Sequence, residues 1–336
     1  MNRQVSWGIL STADIGVAKV IPGIQKDVLS KVRAIASRDG AKARRVADTL
    51  GIEKSYASYE ELLADPSIDA IYNPLPNHLH TPWTLKALAA GKHVLCEKPI
   101  ALNATEAAQL ISAREASGKL VAEAFMVRFH PQWLRARELA HSGALGELCS
   151  IQTAFSYFND DPDNVRNQAD IGGGGLYDIG CYAIATARFI FGAEPERVIG
   201  CFENDPRFGT DRLMSGLAIF PQNRQLSFHC ATQLVPYQRV QIFGRTGRVE
   251  VEIPFNAPKD RPCRLLIDDG SDLGGAGVRT ESFAACDQYT LQANAFARAI
   301  LHGESWPYPI ENAVNNMRVI DAFFRSAQSG RWEAPI

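Results

Sequence analysis

Up to about residue 126 the chain switches repeatedly between short apolar runs and stretches with apolar residues three and four apart. "VSWGIL" (5–10) reads as a strand ending at Ser11, and "DIGVAKVIPGIQ" (14–25) follows with Ile15, Ala18 and Ile21 at helical spacing. The alternation continues with "KVRAIAS" (31–37) as a strand and "GAKARRVADTLG" (40–51) as a helix closed by Gly51. "SIDAIYN" (67–73) is then a strand, and "TPWTLKALAAGK" (81–92) a helix entered at a proline. "HVLCEKP" (93–99) is the next strand, Asn103 and Glu106 frame the start of the helix "ATEAAQLISAREASG" (104–118), and "KLVAEAFM" (119–126) completes the series. Strands alternating with helices of this length predict a doubly wound parallel sheet covered on both faces, of the Rossmann kind, with ligands at the carboxyl ends of its strands.

Beyond residue 147 the rhythm changes. "LCSIQTAFSYF", "ERVIGCFEND", "LMSGLAIFP", "RQLSFHCATQL", "RVQIFGRTGRVEVEIPF" and "RPCRLLIDD" are β-branched and aromatic runs bounded by Gly, Pro, Asn and Asp. Successive strands without helices between them predict an antiparallel sheet, with a hairpin at Gly244–Gly247. The Gly-rich, polar segment 268–282 reads as a mobile loop, and the chain closes with two helices, "YTLQANAFARAILHG" and "IENAVNNMRVIDAFFRSAQSG", each ended by glycine.

A length of 336 residues suits two domains, each with its own core, placed here at 1–125 and 126–336, with the C-terminal helix free to pack back on the first. Lys and Arg total 35 against 37 for Asp and Glu, a net charge of -2, so no global field favours nucleic acid or an anionic membrane. No apolar run approaches the roughly 18 residues needed to span a bilayer, and the start carries no export signal. Seven scattered cysteines without a C-x-x-C pair argue against disulfides and zinc, and read as reduced thiols of a cytoplasmic protein.

The predicted strand ends carry the chemistry. "STADIG" (11–16) stands where a G-x-G-x-x-G turn would, keeping only Gly16. Ser11 and Ala13 are small enough for a pyrophosphate to approach, and the Ser11 or Thr12 hydroxyl is a donor to it. Asp14 and Ile15 lead into the helix, and a plain strand-to-helix turn is the alternative. About 20 residues on, the slot that holds an acid in NAD-binding proteins holds Ser37, with Arg38 next. Together they suit a ribose 2'-phosphate, whereas a turn shifted by two would offer Asp39 and favour NAD; a merely solvated Arg38 is the plainer reading. The proline-rich loop "NPLPNHLHTP" (73–82), with Leu75, Pro76, Asn77 and His80, suits a flat nicotinamide. His78 and His80 lack the companions of a metal site. Glu97 and Lys98 end the fourth predicted strand, where Pro99 holds Lys98 extended; Lys98 is either a proton shuttle or carbonyl polariser, or a solvated charge.

In "GGGGLYDIGCYAI" (172–184), four glycines of high folding entropy run into Asp178 and Tyr182, which share a helix face if the segment is helical. A site and a tight backbone packing contact both explain it.

With "AGKHVLCEKPIALNATEA", "PNHLH", "EAFMVRFHP" and "RNQADIGGGGLYDIGCY" in this order, nearly the full length resembles the glucose-fructose oxidoreductase, inositol dehydrogenase and MocA (Gfo/Idh/MocA) family. It is most similar to the branch of NADP-dependent D-xylose dehydrogenases and dimeric dihydrodiol dehydrogenases. The resemblance implies a Rossmann domain joined to an α/β domain with a large, open, mainly antiparallel sheet, and assembly as a homodimer or homotetramer. It implies hydride transfer between NADP(H), or NAD(H), and a carbinol or carbonyl carbon of a sugar or polyol. Lys98, Asp178 and Tyr182 become the catalytic set, with Tyr182 as acid/base; inositol dehydrogenase-like members have histidine there. Arg128 and Arg166 fall on motifs that approach cofactor or sugar in relatives. A sugar-to-sugar oxidoreductase with permanently bound NADP(H), and a non-catalytic cofactor sensor on the same fold, are the alternatives. Taking a hydride from a carbinol requires a base for its proton, and a cation beside a tyrosine lowers its pKa towards that task.

Overall fold

The computed structural model describes residues 3–336. The chain forms two compact units, one made of the chain up to Met126 together with Gln288–Val314, the other of Val127–Asp287 with Asn315–Ile336.

In the first unit β1 (Val5–Leu10) is buried along its whole length, as expected of a central parallel strand covered on both faces. A π-helical turn (Gly16–Val20) leads into α1 (Ile21–Lys26), followed by β2 (Ser30–Ala36) and α2 (Gly40–Leu50), which ends on left-handed Gly51. Two further elements, β3 (Lys54–Tyr56) and α3 (Tyr59–Ala64), lie in a stretch the apolar rhythm does not mark. Then come β4 (Ala70–Asn73), α4 (His80–Ala89), β5 (His93–Cys96), α5 (Ala104–Ser117) and β6 (Val121–Glu123). The six strands stand in the order β3-β2-β1-β4-β5-β6, all parallel. This is the doubly wound sheet read from the sequence, and its order reverses beside β1. A ligand crevice opens at such a switch point, outside the carboxyl ends of the strands. The Asn103 side chain caps α5 by accepting from the Glu106 N–H at 2.8 Å, as the sequence predicts.

In the second unit α6 (Pro131–His141) precedes β7 (Leu148–Phe158) and α7 (Cys181–Phe191). Next come β8 (Arg197–Asn204), β9 (Asp211–Phe220), β10 (Arg224–Ala231), β11 (Gln233–Gly244), β12 (Arg248–Val251), β13 (Cys263–Asp268) and β14 (Val278–Phe283). They form one open sheet, β14-β13-β12-β11-β7-β10-β9-β8. Two antiparallel meanders flank β7, which pairs antiparallel with β11 but parallel with β10. One parallel pair in an otherwise antiparallel sheet is the mainly antiparallel sheet expected, and α7 with two strands between β7 and β10 is long enough for the crossover. β14 likewise corrects the reading of 268–282 as loop throughout, since residues from 278 onward pair with β13 as an edge strand. Every residue of α7 is buried, which its nearly uninterrupted apolar sequence requires.

Two helices finish the chain. α8 (Gln288–His302) belongs to the first unit, where Phe296 lies 5.2 Å from Trp7 of β1, centroid to centroid. In α9 (Ile310–Ser329), residues to Val314 count with the first unit and the rest with the second. Among the described residues no helix is long and apolar enough to cross a membrane, no group of His, Cys, Asp and Glu could hold a metal ion, and all seven cysteines are free.

Candidate active site

At the end of β1, Ser11 has φ 77°, the left-handed region in which the first glycine of a phosphate turn is at home. Its hydroxyl oxygen accepts from the Ala13 N–H at 3.1 Å, tightening the turn while leaving its own proton to donate. Thr12 is buried, Ala13 half-buried and Asp14 exposed, with Ile15 half-buried before the helix. Gly16 has Tyr72 and Pro74 at ordinary contact distance, 3.6 and 3.7 Å from where a Cβ would stand. A non-glycine residue held at this φ is a strained turn, and it keeps the backbone close to a diphosphate path.

The end of β2 divides its labour among three residues. The buried Ser37 accepts the Asp39 N–H at 3.2 Å. The Asp39 carboxylate turns back to cap α2, accepting from Lys42 N–H at 2.9 Å. Arg38 is exposed, and its guanidinium lies by the Tyr59 hydroxyl, opposing the burial that raises that phenol's pKa. The end of β2 therefore presents a hydroxyl and a cation, with the neighbouring Asp39 carboxylate engaged on α2.

The loop after β4 and the end of β5 are braced from below. Asn73, fully buried, accepts from Leu75 N–H and donates to the His80 carbonyl and Thr84 Oγ1. His80 is buried, each ring nitrogen 2.7 Å from a carbonyl oxygen, that of Leu75 on one side and of Pro99 on the other. Burial pushes this imidazole down to about 4, against two carbonyls that favour its charged form. Its ring thus ties the Leu75–Pro76–Asn77 segment to the segment behind Lys98. Tyr72 donates to Glu97 Oε1 at 2.7 Å, and Glu123 accepts from Ile100 N–H at 2.9 Å. The Lys98–Pro99 peptide is cis.

In the second unit a π-helical turn, Leu176–Gly180, carries Asp178 into α7, whose second residue is Tyr182. Such turns recur at functional sites. Asp178 Oδ2 accepts two hydrogen bonds, from Tyr157 OH at 2.6 Å and Arg166 Nε at 2.9 Å. Arg166 is pushed upward chiefly by the Asp178 charge, and Tyr157 upward by burial and then by the same carboxylate. The Tyr182 ring stands 5.2 Å from Phe255 and 6.0 Å from Phe155, so it is walled by aromatics and only 6% exposed. Arg128 is buried in the turn Met126–Phe129. A carboxylate fixed by a cation and a phenol, one helical turn before a second phenol in an apolar wall, can bind hydroxyls and hold a proton.

The glycine run has a packing reason of its own. A Cβ on Gly173 would stand 2.6 Å from the Arg166 carbonyl, and one on Gly174, at φ +117°, would collide with Asp211. The same close approach sets Gly173 against the backbone of Arg166, whose side chain pairs with Asp178. The sequence reading did not single out Tyr157, Asp211, Asn73 or Glu123. Tyr157 alone left a trace, as a polar-tipped residue in register with Phe155 on the inward side of β7.

Residues 6–125 match the family model of an oxidoreductase family with an NAD-binding Rossmann fold, and residues 133–250 match the GFO/IDH/MocA C-terminal domain. A D-xylose 1-dehydrogenase (NADP(+)) from Haloferax volcanii is 41% identical over 96% of this chain and 98% of its own. A trans-1,2-dihydrobenzene-1,2-diol dehydrogenase from Mus musculus is 31% identical over 75% and 76%. A 3-ketoreductase from Actinomadura kijaniata, solved with NADP and TDP-benzene, superposes with a TM-score of 0.90 at 29% identity, covering 96% of this chain and 98% of that one. With both its units matched by the family's models, the chain belongs to the GFO/IDH/MocA oxidoreductases.

Proposed function

We propose that the protein is an NADP(H)-dependent oxidoreductase acting on a carbinol or carbonyl carbon of a sugar or polyol, with an aldose such as D-xylose oxidised at C1 as the leading substrate. The observation that carries the cofactor assignment is the arrangement after β2, where Asp39 is spent on capping α2 while Arg38 stays exposed beside Ser37. Charge-assisted hydrogen bonds from such an arginine contribute about 1.5 to 3 kcal/mol, roughly 10- to 150-fold in affinity. The 41% identical relative, named for D-xylose and NADP(+), supports the same direction.

When bound, a nicotinamide cofactor would supply or accept the hydride. Ser11 to Gly16 would hold its diphosphate, Ser37 and Arg38 the 2'-phosphate, and Leu75 to Asn77 with Glu97 would shape the ring's seat. Tyr182 holds the proton that leaves or joins the substrate oxygen, and Lys98 supplies the positive charge that makes its phenolate accessible. Asp178 and Arg166 act as one unit, taking sugar hydroxyls through a carboxylate whose orientation Arg166 and Tyr157 fix. The low net charge, and among the described residues no helix suited to a bilayer, accord with a cytoplasmic enzyme. The outer face of the open sheet, where Gln152, Leu217, His229 and Tyr237 line a concavity of about 740 Å³, is the surface for a homodimer or homotetramer.

The test is kcat/KM with NADP+ and NAD+ over an aldose panel for the parent, Ser37→Asp and Arg38→Ala. The parent should prefer NADP+, and Arg38→Ala should cut that preference by about 10- to 100-fold. A parent that prefers NAD+ overturns the phosphate-site assignment, and no dinucleotide reduction with any sugar overturns the substrate class.

A further inference from the structure

We propose that Asp211, the first residue of β9, is a positioning residue that seats the turn carrying Asp178. The proposal rests on the catalytic reading of Asp178 and Tyr182 above.

Neither Gly175 nor any other side chain at the start of the Leu176–Gly180 turn caps it locally. The cap comes instead from a strand 35 residues further along the chain: Asp211 Oδ2 accepts from Leu176 N–H at 2.6 Å, and the Gly175 N–H is near enough to favour its charge. Gly174 exists for this contact, since no side chain fits between it and Asp211 Oδ1, and a Cβ on Gly175 would meet Asp211 at 3.2 Å. The carboxylate is 5% exposed, and backbone N–H groups are what hold its charge. A carboxylate at the N-terminal end of a helical segment is favoured by the aligned peptide dipoles. Loss of its charge would change how the turn is seated just where the chain sets the angle of Asp178, and small misplacements at a reacting centre cost up to about 100-fold in rate.

Burial raises this carboxyl to about 7, so that the seat changes charge near neutrality. The ionisable side chains around it offer no compensating cation. Cys230 of β10, itself raised by burial, feels Asp211, with Cys181 of α7 and Asp178 beyond it. Arg212, next in the strand, is bonded to Glu203. The sign follows: lowering pH through about 7 protonates Asp211, weakens its acceptance of the Leu176 N–H and lowers turnover. Stability moves the other way, since an acid whose folded pKa is raised above 3.8 costs stability increasingly as pH rises towards 7.

The experiment compares the parent, Asp211→Asn and Tyr182→Phe in kcat, in KM for NADP+ and in thermal midpoint from pH 5.5 to 8.5. Asp211→Asn should lose about 10- to 100-fold in kcat, hold KM for NADP+ within about twofold, and lack the parent's activity limb near pH 7. Its midpoint at pH 8 should equal or exceed the parent's, which a merely structural carboxylate would not allow. In the parent, amide exchange of the 172–180 segment should slow, relative to the intrinsic rate, as pH falls through 7, because the closed turn holds the Asp211 proton more tightly than an opened one. That measurement decides even if Asp211→Asn does not fold. A normal Asp211→Asn beside an inactive Tyr182→Phe, or exchange that follows the intrinsic rate alone, overturns this proposal by itself. A Tyr182→Phe enzyme with near-parental turnover overturns the catalytic reading and this proposal with it.

Discussion

Tyr157 OH and Arg166 Nε converge on a single oxygen of Asp178, so each of the three side chains fixes the other two. Tyr157→Phe removes one donor and leaves the Arg166 pair in place. We expect turnover to fall about 3- to 10-fold, with the sugar KM rising and cofactor affinity unchanged, because a hydrogen bond to a charged group contributes about 1.5 to 3 kcal/mol at most and part is recovered by water. Steady-state kinetics against both substrates checks this. Lys98→Met should lower turnover and raise the apparent pKa of the oxidative pH profile, because the charge favouring the Tyr182 phenolate is gone; Lys98→Arg should restore only part of the rate. A pH profile unmoved by Lys98→Met would sever Lys98 from Tyr182 in this scheme. The residues proposed for the site were singled out in the sequence by local rules: Lys98 before a proline, Asp178 and Tyr182 four apart, Ser37 and Arg38 in the ribose slot. Tyr157 and Asp211 were not, since they reach the site across 21 and 35 residues of chain and no local spacing encodes that.

Elements were legible in proportion to their length and to the contrast between their faces. The cap read from the sequence for α5 is used, Asn103 on Glu106 N–H, whereas Asp39, read there only as an acid for the ribose, caps α2 on Lys42 N–H. Asn103→Ala should cost about 1 kcal/mol, measurable as a shift in the urea midpoint, with kcat held to within about twofold, because a cap stabilises the helix and touches no substrate. β3 has three half-buried residues and escapes any periodicity. β14 hides in a polar segment because it is an edge strand with its residues exposed or half-buried, so apolar alternation is absent although the pairing to β13 is regular. The parallel pairing of β7 with β10 is set by the α7 crossover, a tertiary choice that six similar strand patterns in a row do not disclose.

The chain as a whole should be sensitive to acid. His80 and His130 are each 1% exposed and held by burial down to about 4, well below the 6.5 of an unfolded histidine. The unfolded chain binds more protons than the folded one between those values, so the stability they contribute is complete above pH 6.5 and is lost as pH falls towards 4. Asp211 opposes them throughout that window. Calorimetry should therefore show the thermal midpoint declining below pH 6.5, and declining more steeply in Asp211→Asn; a flat profile to pH 4.5 would contradict the neutral assignment of both imidazoles. One feature of the first unit also governs how the protein is made. Its parallel sheet is encoded before residue 127, yet α8, encoded after residue 287, supplies Phe296 against Trp7 and donates Thr290 Oγ1 to the Gly23 carbonyl at 2.8 Å. On the ribosome, the nucleotide-binding half thus waits with Trp7 uncovered while some 160 further residues are translated, the interval 127–287. A nascent chain stalled before residue 288 should remain protease-sensitive in its first 126 residues, and supplying the 288–314 segment as a separate peptide should restore protection.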